Sequence, residues 1–215
     1  MVGSLTSPAS IIETIEYGAA MPGEMHAAAR IYVENFPRRV EKWFVNNERA
    51  TEFYVDLMEL MRLAYGPTFF VARSNRQLIG YLVLTLPGAQ IFSALFHERF
   101  MLRALAHALT GRYAYSPLLL RRILSAFLAI PTAKLKNEPF APQINVLTVS
   151  RDYWGRGIAS ALIEQASRHS SASFRWIWLY VDTDNTRAIQ LYKHLGFQIV
   201  ASNPMQFTMV KDFGA

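Results

Sequence analysis

The sequence predicts an α/β fold: a mixed central sheet with helices on both faces and a helical insertion after the third strand. Three observations lead there. Apolar residues make up 52% of the 215-residue chain and charged ones 18%, which suits a single packed domain over 1–215. Segments of period two and of helical period follow one another as β, α, α, β, β and later as β, α, β, α, β, β. Between these two series, residues 88–141 lose strand alternation and read as helical twice.

In chain order, Ser10–Tyr17 alternates weakly and opens the sheet. Gly23–Asn35 is a helix, with Met25, Ala28, Ala29, Tyr32 and Val33 at helical spacing, and Phe36-Pro37 ends it. Val40–Tyr65 is a second helical stretch, stopped by Gly66-Pro67. Thr68–Arg73 and Gln77–Leu86 are strands joined by a hairpin loop at Ser74-Asn75-Arg76. The insertion holds helices at Ile91–Thr110 and Leu118–Ile130, with Arg99, Arg103, Arg112, Arg121 and Arg122 interspersed. It is either a helical pair packed on the domain or a basic lid facing the acceptor or a membrane surface. After it come strand Gln143–Val149, helix Gly157–Arg168, strand Phe174–Val181 and helix Thr186–Leu195, which Gly196 closes. Phe197–Ala201 and Gln206–Val210 are the last strands.

The chain carries a net charge of +6 and a pI near 9.7, which fits an anionic ligand, a nucleic acid or an acidic membrane and does not choose among them. There is no cysteine, so disulfides, thiolate metal sites and cysteine nucleophiles are excluded. His97, His107, His169 and His194 show no metal or triad spacing, and no metal is expected. Met1–Ser10 lacks a basic-then-apolar leader, and no apolar run approaches the roughly 20 residues that span a bilayer, so a cytoplasmic chain is expected. The arginines are not interleaved with a nucleic-acid motif, so no nucleic-acid partner is expected. Peripheral membrane contact, and a monomer or a homodimer, stay open.

Two segments carry chemistry. Val149-Ser150-Arg151-Asp152-Tyr153-Trp154-Gly155-Arg156-Gly157-Ile158-Ala159-Ser160 follows a strand and opens a helix. Its glycines let a ligand approach the backbone, and N–H groups at a helix start with no intrahelical partner favour an anion. A plain strand–helix turn would look the same. The second segment is Asp182-Thr183-Asp184-Asn185, then Ala188, Leu191-Tyr192 and Leu195-Gly196-Phe197. Asn185 suits an N-cap, and Tyr192 lies two turns on, on nearly the same face.

Together these segments resemble the GNAT acyltransferase superfamily. Its loop reads Gln/Arg-x-x-Gly-x-Gly/Ala, and its second signature reads Asn-x-x-Ala-x-x-Leu-Tyr. Gly157 and Ala159 match the loop pattern, while Trp154 departs from its first position. The resemblance covers Gln143–Val210 well, Ser10–Leu86 by element order only, and the insertion not at all. It implies the GNAT acyltransferase fold and acetyl-CoA as co-substrate, with acetyl transfer to a primary amine by direct attack. It implies that Asn145–Val149 splays from its neighbouring strand and pairs with pantetheine through Leu147, Thr148 and Val149. The turn from Trp154 through Gly155, Arg156, Gly157, Ile158, Ala159 and Ser160 would hold the pyrophosphate. Asn185, Ala188 and Tyr192 would flank the cofactor.

Tyr192 is then either a core aromatic or the acid that protonates the departing thiolate. Asp182 is the base, the ammonium anchor or a solvated carboxylate. Glu34, Glu41 and Asn145 are further candidates on the acceptor side, and Asp184 is a helix-start charge. The acceptor expected by family analogy is a small amine such as an amino sugar on a nucleotide carrier. A protein N-terminus or lysine is the alternative, and a non-catalytic acyl-CoA-binding module is the other class.

Overall fold

A computed structural model describes residues 14–44, 47–87, 106–107, 110, 112 and 141–214. The elements are β1 (Ile15–Ala19), α1 (Met25–Asn35), α2 (Pro37–Trp43), α3 (Asn47–Tyr65), β2 (Phe69–Ser74) and β3 (Gln77–Thr85). They continue with β4 (Gln143–Val149), α4 (Ile158–Ser171), β5 (Trp176–Asp182), α5 (Thr186–His194), β6 (Gln198–Ser202) and β7 (Gln206–Asp212). The strands form one sheet in the order β1-β2-β3-β4-β5-β7-β6. Among the described strands only β4 and β5 are parallel, as expected where a helix, here α4, makes the crossover.

Strand alternation builds two cores, one on each face. On β3, Leu82 and Leu84 join a cluster with Leu162 and Ile163 of α4 and with Ile189 and Tyr192 of α5. Their neighbours Tyr81 and Val83 join the opposite cluster with Ala28 of α1 and Met58 of α3. Helices therefore cover both faces, as the pattern predicts. The β2–β3 turn is shorter than expected: Ser74 pairs with Gln77, and Asn75 and Arg76 form the loop with φ of 49° and 64°. Two consecutive positive φ values are the mark of a type I′ hairpin turn.

The expected Val40–Tyr65 helix is two helices. Pro37 occupies the first turn of α2, where its missing N–H costs nothing. At Phe44 the backbone turns extended (φ −126°, ψ 147°), which buries that ring against Phe53 and Tyr54 of α3 at 5.1 and 5.8 Å. Burial of the aromatic ring outweighs continuation of a helix. The first strand runs Ile15–Ala19 where Ser10–Tyr17 was expected, and residues before 14 lie outside the described ones.

The helical pair expected within 88–141 also lies outside the described residues, apart from Ala106, His107, Thr110, Arg112 and Ala141. Two of these touch α3. His107 Nδ1 is 2.8 Å from Asp56 Oδ2, and Arg112 pairs with Glu52. Among the described residues no helix is long and apolar enough to cross a membrane.

Candidate active site

β4 and β5 pair only at Gln143–Trp178 and Ile144–Leu179, and then part. The cause lies on the other edge of β4. Val83 faces Val146 and Leu84 faces Ile144, so Asn145 is an extra residue, a bulge that bends the strand where pairing with β5 stops. The Ser150 N–H donates to Ile79 O at 2.7 Å. By antiparallel alternation, the peptide groups of Thr148 face β3, and those of Leu147 and Val149 face the opening. The opening is a cavity of about 640 Å³, lined on one side by β4 and the following turn and on the other by β5 and α5.

The turn after β4 keeps its glycines for backbone reasons. Gly155 has φ 81° and Gly157 has φ 76°, and a Cβ at either would meet nothing within 4 Å. Their constraint is the left-handed conformation, not crowding, and the space above them is open to a ligand. Gly157 is the N-cap of α4, so the first N–H groups of that helix lie at the turn. Gly155, Gly157, Ile158, Ala159 and Ser160 all line the cavity. Arg156 does not; its guanidinium lies 4.7 Å over the Tyr153 ring.

Trp154 spends its indole N–H on the protein. Nε1 donates to Val149 O at 2.7 Å, and Asn35 Nδ2 donates to the same oxygen at 2.9 Å. Both lone pairs of that carbonyl are thus engaged. The backbone surface expected to hold pantetheine is correspondingly smaller: both peptide groups of Leu147 and the N–H of Val149. Thr148 contributes no peptide group to the opening, and its hydroxyl accepts from Asn35 Nδ2 at 2.8 Å. Among the described residues Asn35 Oδ1 is buried without a hydrogen-bond partner.

Across the opening, Asn185 caps α5, its Oδ1 accepting from the Ala188 N–H at 3.1 Å. Asn185, Ala188 and Tyr192 all line the cavity. Tyr192 is buried, with its ring 5.6 Å from that of Phe197. Burial pushes its phenol up to about 12. It is a core aromatic that also lines the cavity, with its phenol protonated at neutral pH.

Asp182 also lines the cavity, but not as a free carboxylate. Arg39 of α2 donates to Oδ2 at 2.7 Å and Gln206 donates to Oδ1 at 3.0 Å. Burial would raise this carboxyl, but those two hydrogen bonds and the Arg39 charge outweigh it and hold the group below its usual range. A carboxylate so held is a weak proton acceptor. Asp184 pairs with Arg38 at 3.4 Å in the open. Glu34 and Glu41 do not line the cavity, whereas Asn145 does.

The sequence missed Tyr32, Asn35, Phe36, Arg39 and Arg187, all of which line the cavity. The first four sit around the α1–α2 break, more than a hundred residues before the strands they meet. Their only local signal was Phe36-Pro37-Arg38-Arg39, a helix stop followed by two cations.

Residues 125–197 match the Acetyltransferase (GNAT) family. Over 69 residues the chain is 35% identical to a mycothiol acetyltransferase of Corynebacterium glutamicum (strain R), covering 32% of this chain and 24% of that protein. A mycothiol acetyltransferase of Thermobifida fusca (strain YX) is 34% identical over 64 residues, covering 29% and 20%. The chain thus spans about a quarter or less of the length of these curated relatives. Among solved structures, SsHAT superposes with a TM-score of 0.66 at 19% identity, covering 93% of this chain and 98% of that one. A PaiA N-acetyltransferase of Thermoplasma acidophilum in complex with coenzyme A gives 0.56 at 14%, covering 93% and 99%. At these identities the likeness is one of fold.

Proposed function

From a chain whose residues 125–197 match the GNAT acetyltransferase family, we propose an enzyme that moves the acetyl group of acetyl-CoA to a primary amine on a small molecule. One observation carries this reading. The parting of β4 and β5 leaves strand peptide groups facing a cavity whose opposite wall presents a buried, protonated tyrosine.

The residues present suit acetyl-CoA. The Leu147 peptide groups and the Val149 N–H offer a strand-like edge to the two amides of pantetheine. The Gly155–Ser160 turn offers backbone N–H groups and a helix N-terminus to the pyrophosphate. Bound acetyl-CoA supplies a thioester whose carbonyl carbon the amine attacks, so that the C–N bond forms as the C–S bond breaks. The Val149 N–H is the donor that polarises the carbonyl oxygen. Tyr192 gives its proton to the leaving sulfur: a phenol at about 12 stays protonated until a thiolate develops beside it. Asp182, ionised and weakly basic, anchors the acceptor's ammonium, which gives one proton to water to become the attacking amine; the second proton, released from nitrogen as the amide forms, returns through solvent to Tyr192. No enzyme nucleophile is needed, which fits a chain without cysteine.

The Arg39–Asp182 pair bridges α2 and β5 at the cavity, which supports a small acceptor over an extended peptide. Amino sugars on nucleotide carriers are the finer expectation within that class. The test is to incubate the chain with acetyl-CoA and a panel of small amines, amino sugars and peptides, and to follow free thiol. Turnover confined to peptides would replace the small-molecule reading with a protein acetyltransferase. Tight coenzyme A binding with no turnover on any acceptor would replace the enzyme with a binding module.

A further inference from the structure

The phosphate-binding turn has an unusual relation to charge. Its own cation, Arg156, lies over Tyr153 and does not line the cavity. Among the described residues the cations that line it are Arg39 and Arg187, and Arg39 is engaged by Asp182. Arg187 stands in the first turn of α5, with no ion-pair partner among the described residues. Its guanidinium carbon sits 4.4 Å over the Trp154 ring. Trp154 is itself fixed by its 2.7 Å bond to the Val149 carbonyl, so the ring is a rigid platform although the residue is 46% exposed.

We infer that Trp154 and Arg187 act as one phosphate-positioning unit of the donor site, in which the tryptophan holds an arginine from α5 against the phosphates of the cofactor. The inference rests on the acetyl-CoA reading above and adds to it a residue, a role and a reason for Trp154. A guanidinium stacked on an indole face keeps its in-plane N–H fork free, and that fork matches two phosphate oxygens at once. Stacking also removes rotamer freedom before the ligand arrives, so less ordering remains to be done on binding. The indole therefore does what a polar side chain in the turn would do, through a partner on another element. Two phosphates could be the target, the pyrophosphate or the 3′-phosphate, and the chemistry is the same for both.

Binding calorimetry on the full chain tests this with coenzyme A, dephospho-coenzyme A and pantetheine. Arg187→Ala should weaken coenzyme A by about tenfold or more and leave pantetheine unchanged, because only the phosphate contact is lost. Trp154→Ala should do the same, and Trp154→Phe, which keeps a ring under the guanidinium but loses the N–H bond that fixes it, should fall between wild type and Trp154→Ala. The double variant Trp154→Ala/Arg187→Ala should be no weaker than the worse single variant, since the pair acts as one unit. A loss shared by dephospho-coenzyme A assigns the pyrophosphate, and a loss confined to coenzyme A assigns the 3′-phosphate. Coenzyme A affinity within about twofold for Arg187→Ala, or single effects that multiply in the double variant, overturns the unit. Failure of the wild-type chain to bind coenzyme A sinks the acetyl-CoA reading itself, which separates the two failures.

Discussion

The two walls of the cavity are built from different materials. The donor wall, β4 with the turn into α4 and the start of α5, is mostly backbone: peptide groups of Leu147 and Val149, two left-handed glycines and two helix starts. The acceptor wall, from the α1–α2 break to the end of β5, is side chains: Tyr32, Phe36, Arg39 and Asp182. A backbone site tolerates many side chains around it but demands particular φ values and small residues. A side-chain site has no such local demand, and its specificity changes when one residue changes. On the proposed reading the donor wall would serve a fixed ligand, and the acceptor wall would be where this chain's own substrate is chosen.

The largest expected effect falls where the walls meet. Tyr192→Phe keeps the ring packed on Phe197 and removes only the hydroxyl. Turnover should fall about 100-fold or more, while coenzyme A affinity holds within about twofold. Steady-state rates with a parallel binding titration check this, and turnover within about twofold of wild type would return Tyr192 to a packing role alone. The pH profile adds a sign. Because burial raises the phenol from 10.0 to about 12, the acid stays protonated through neutral and mildly alkaline pH. Turnover should then show no alkaline loss from this group below about pH 10.

Next in size is the donor wall alone. Gly157 sits at φ 76°, where an added Cβ meets no atom but the backbone is unfavourable for an L residue. Gly157→Ala should cost about 1–2 kcal/mol, read either as a lower Tm or as a turn that re-forms only on binding. Coenzyme A affinity should drop accordingly, and the acceptor's KM should not move. A fall in acceptor affinity of equal size would show that the walls are not separable.

This division explains what was legible in the sequence. Gly155, Gly157, Asn185, Ala188 and Tyr192 lie within two short segments, and each meets a local requirement that leaves a spacing. The split of β4 from β5 came from the family resemblance; the bulge at Asn145 that produces it has no local signature. Asn35 and Arg39 were invisible for another reason. They reach Val149 and Asp182 across 114 and 143 residues, and only the packing of α1 and α2 on the sheet brings them there. The break at Phe44 was missed because burial of one aromatic ring overrode helical period, a tertiary effect with no local trace.

The smallest expected effect isolates the acceptor wall. Arg39→Met keeps most of the side chain's length and removes its charge, leaving Asp182 with Gln206. The acceptor's KM should shift severalfold while coenzyme A affinity stays put. Stability should change by less than about 1 kcal/mol, because both partners of the pair are partly exposed and screened. Its pH dependence has a definite sign. Arg39 and Gln206 lower the Asp182 carboxyl in the folded chain, so the unfolded chain binds the proton more readily. The pair's contribution is therefore complete above the ordinary carboxylate value of 3.8 and is lost as pH falls through the lower folded value. Wild type and Arg39→Met should differ in Tm at pH 7 and converge in acid once the folded Asp182 carboxyl is protonated. A difference that persists unchanged in acid would mean that the arginine acts through packing on Phe36, 5.5 Å from its guanidinium, and not through Asp182.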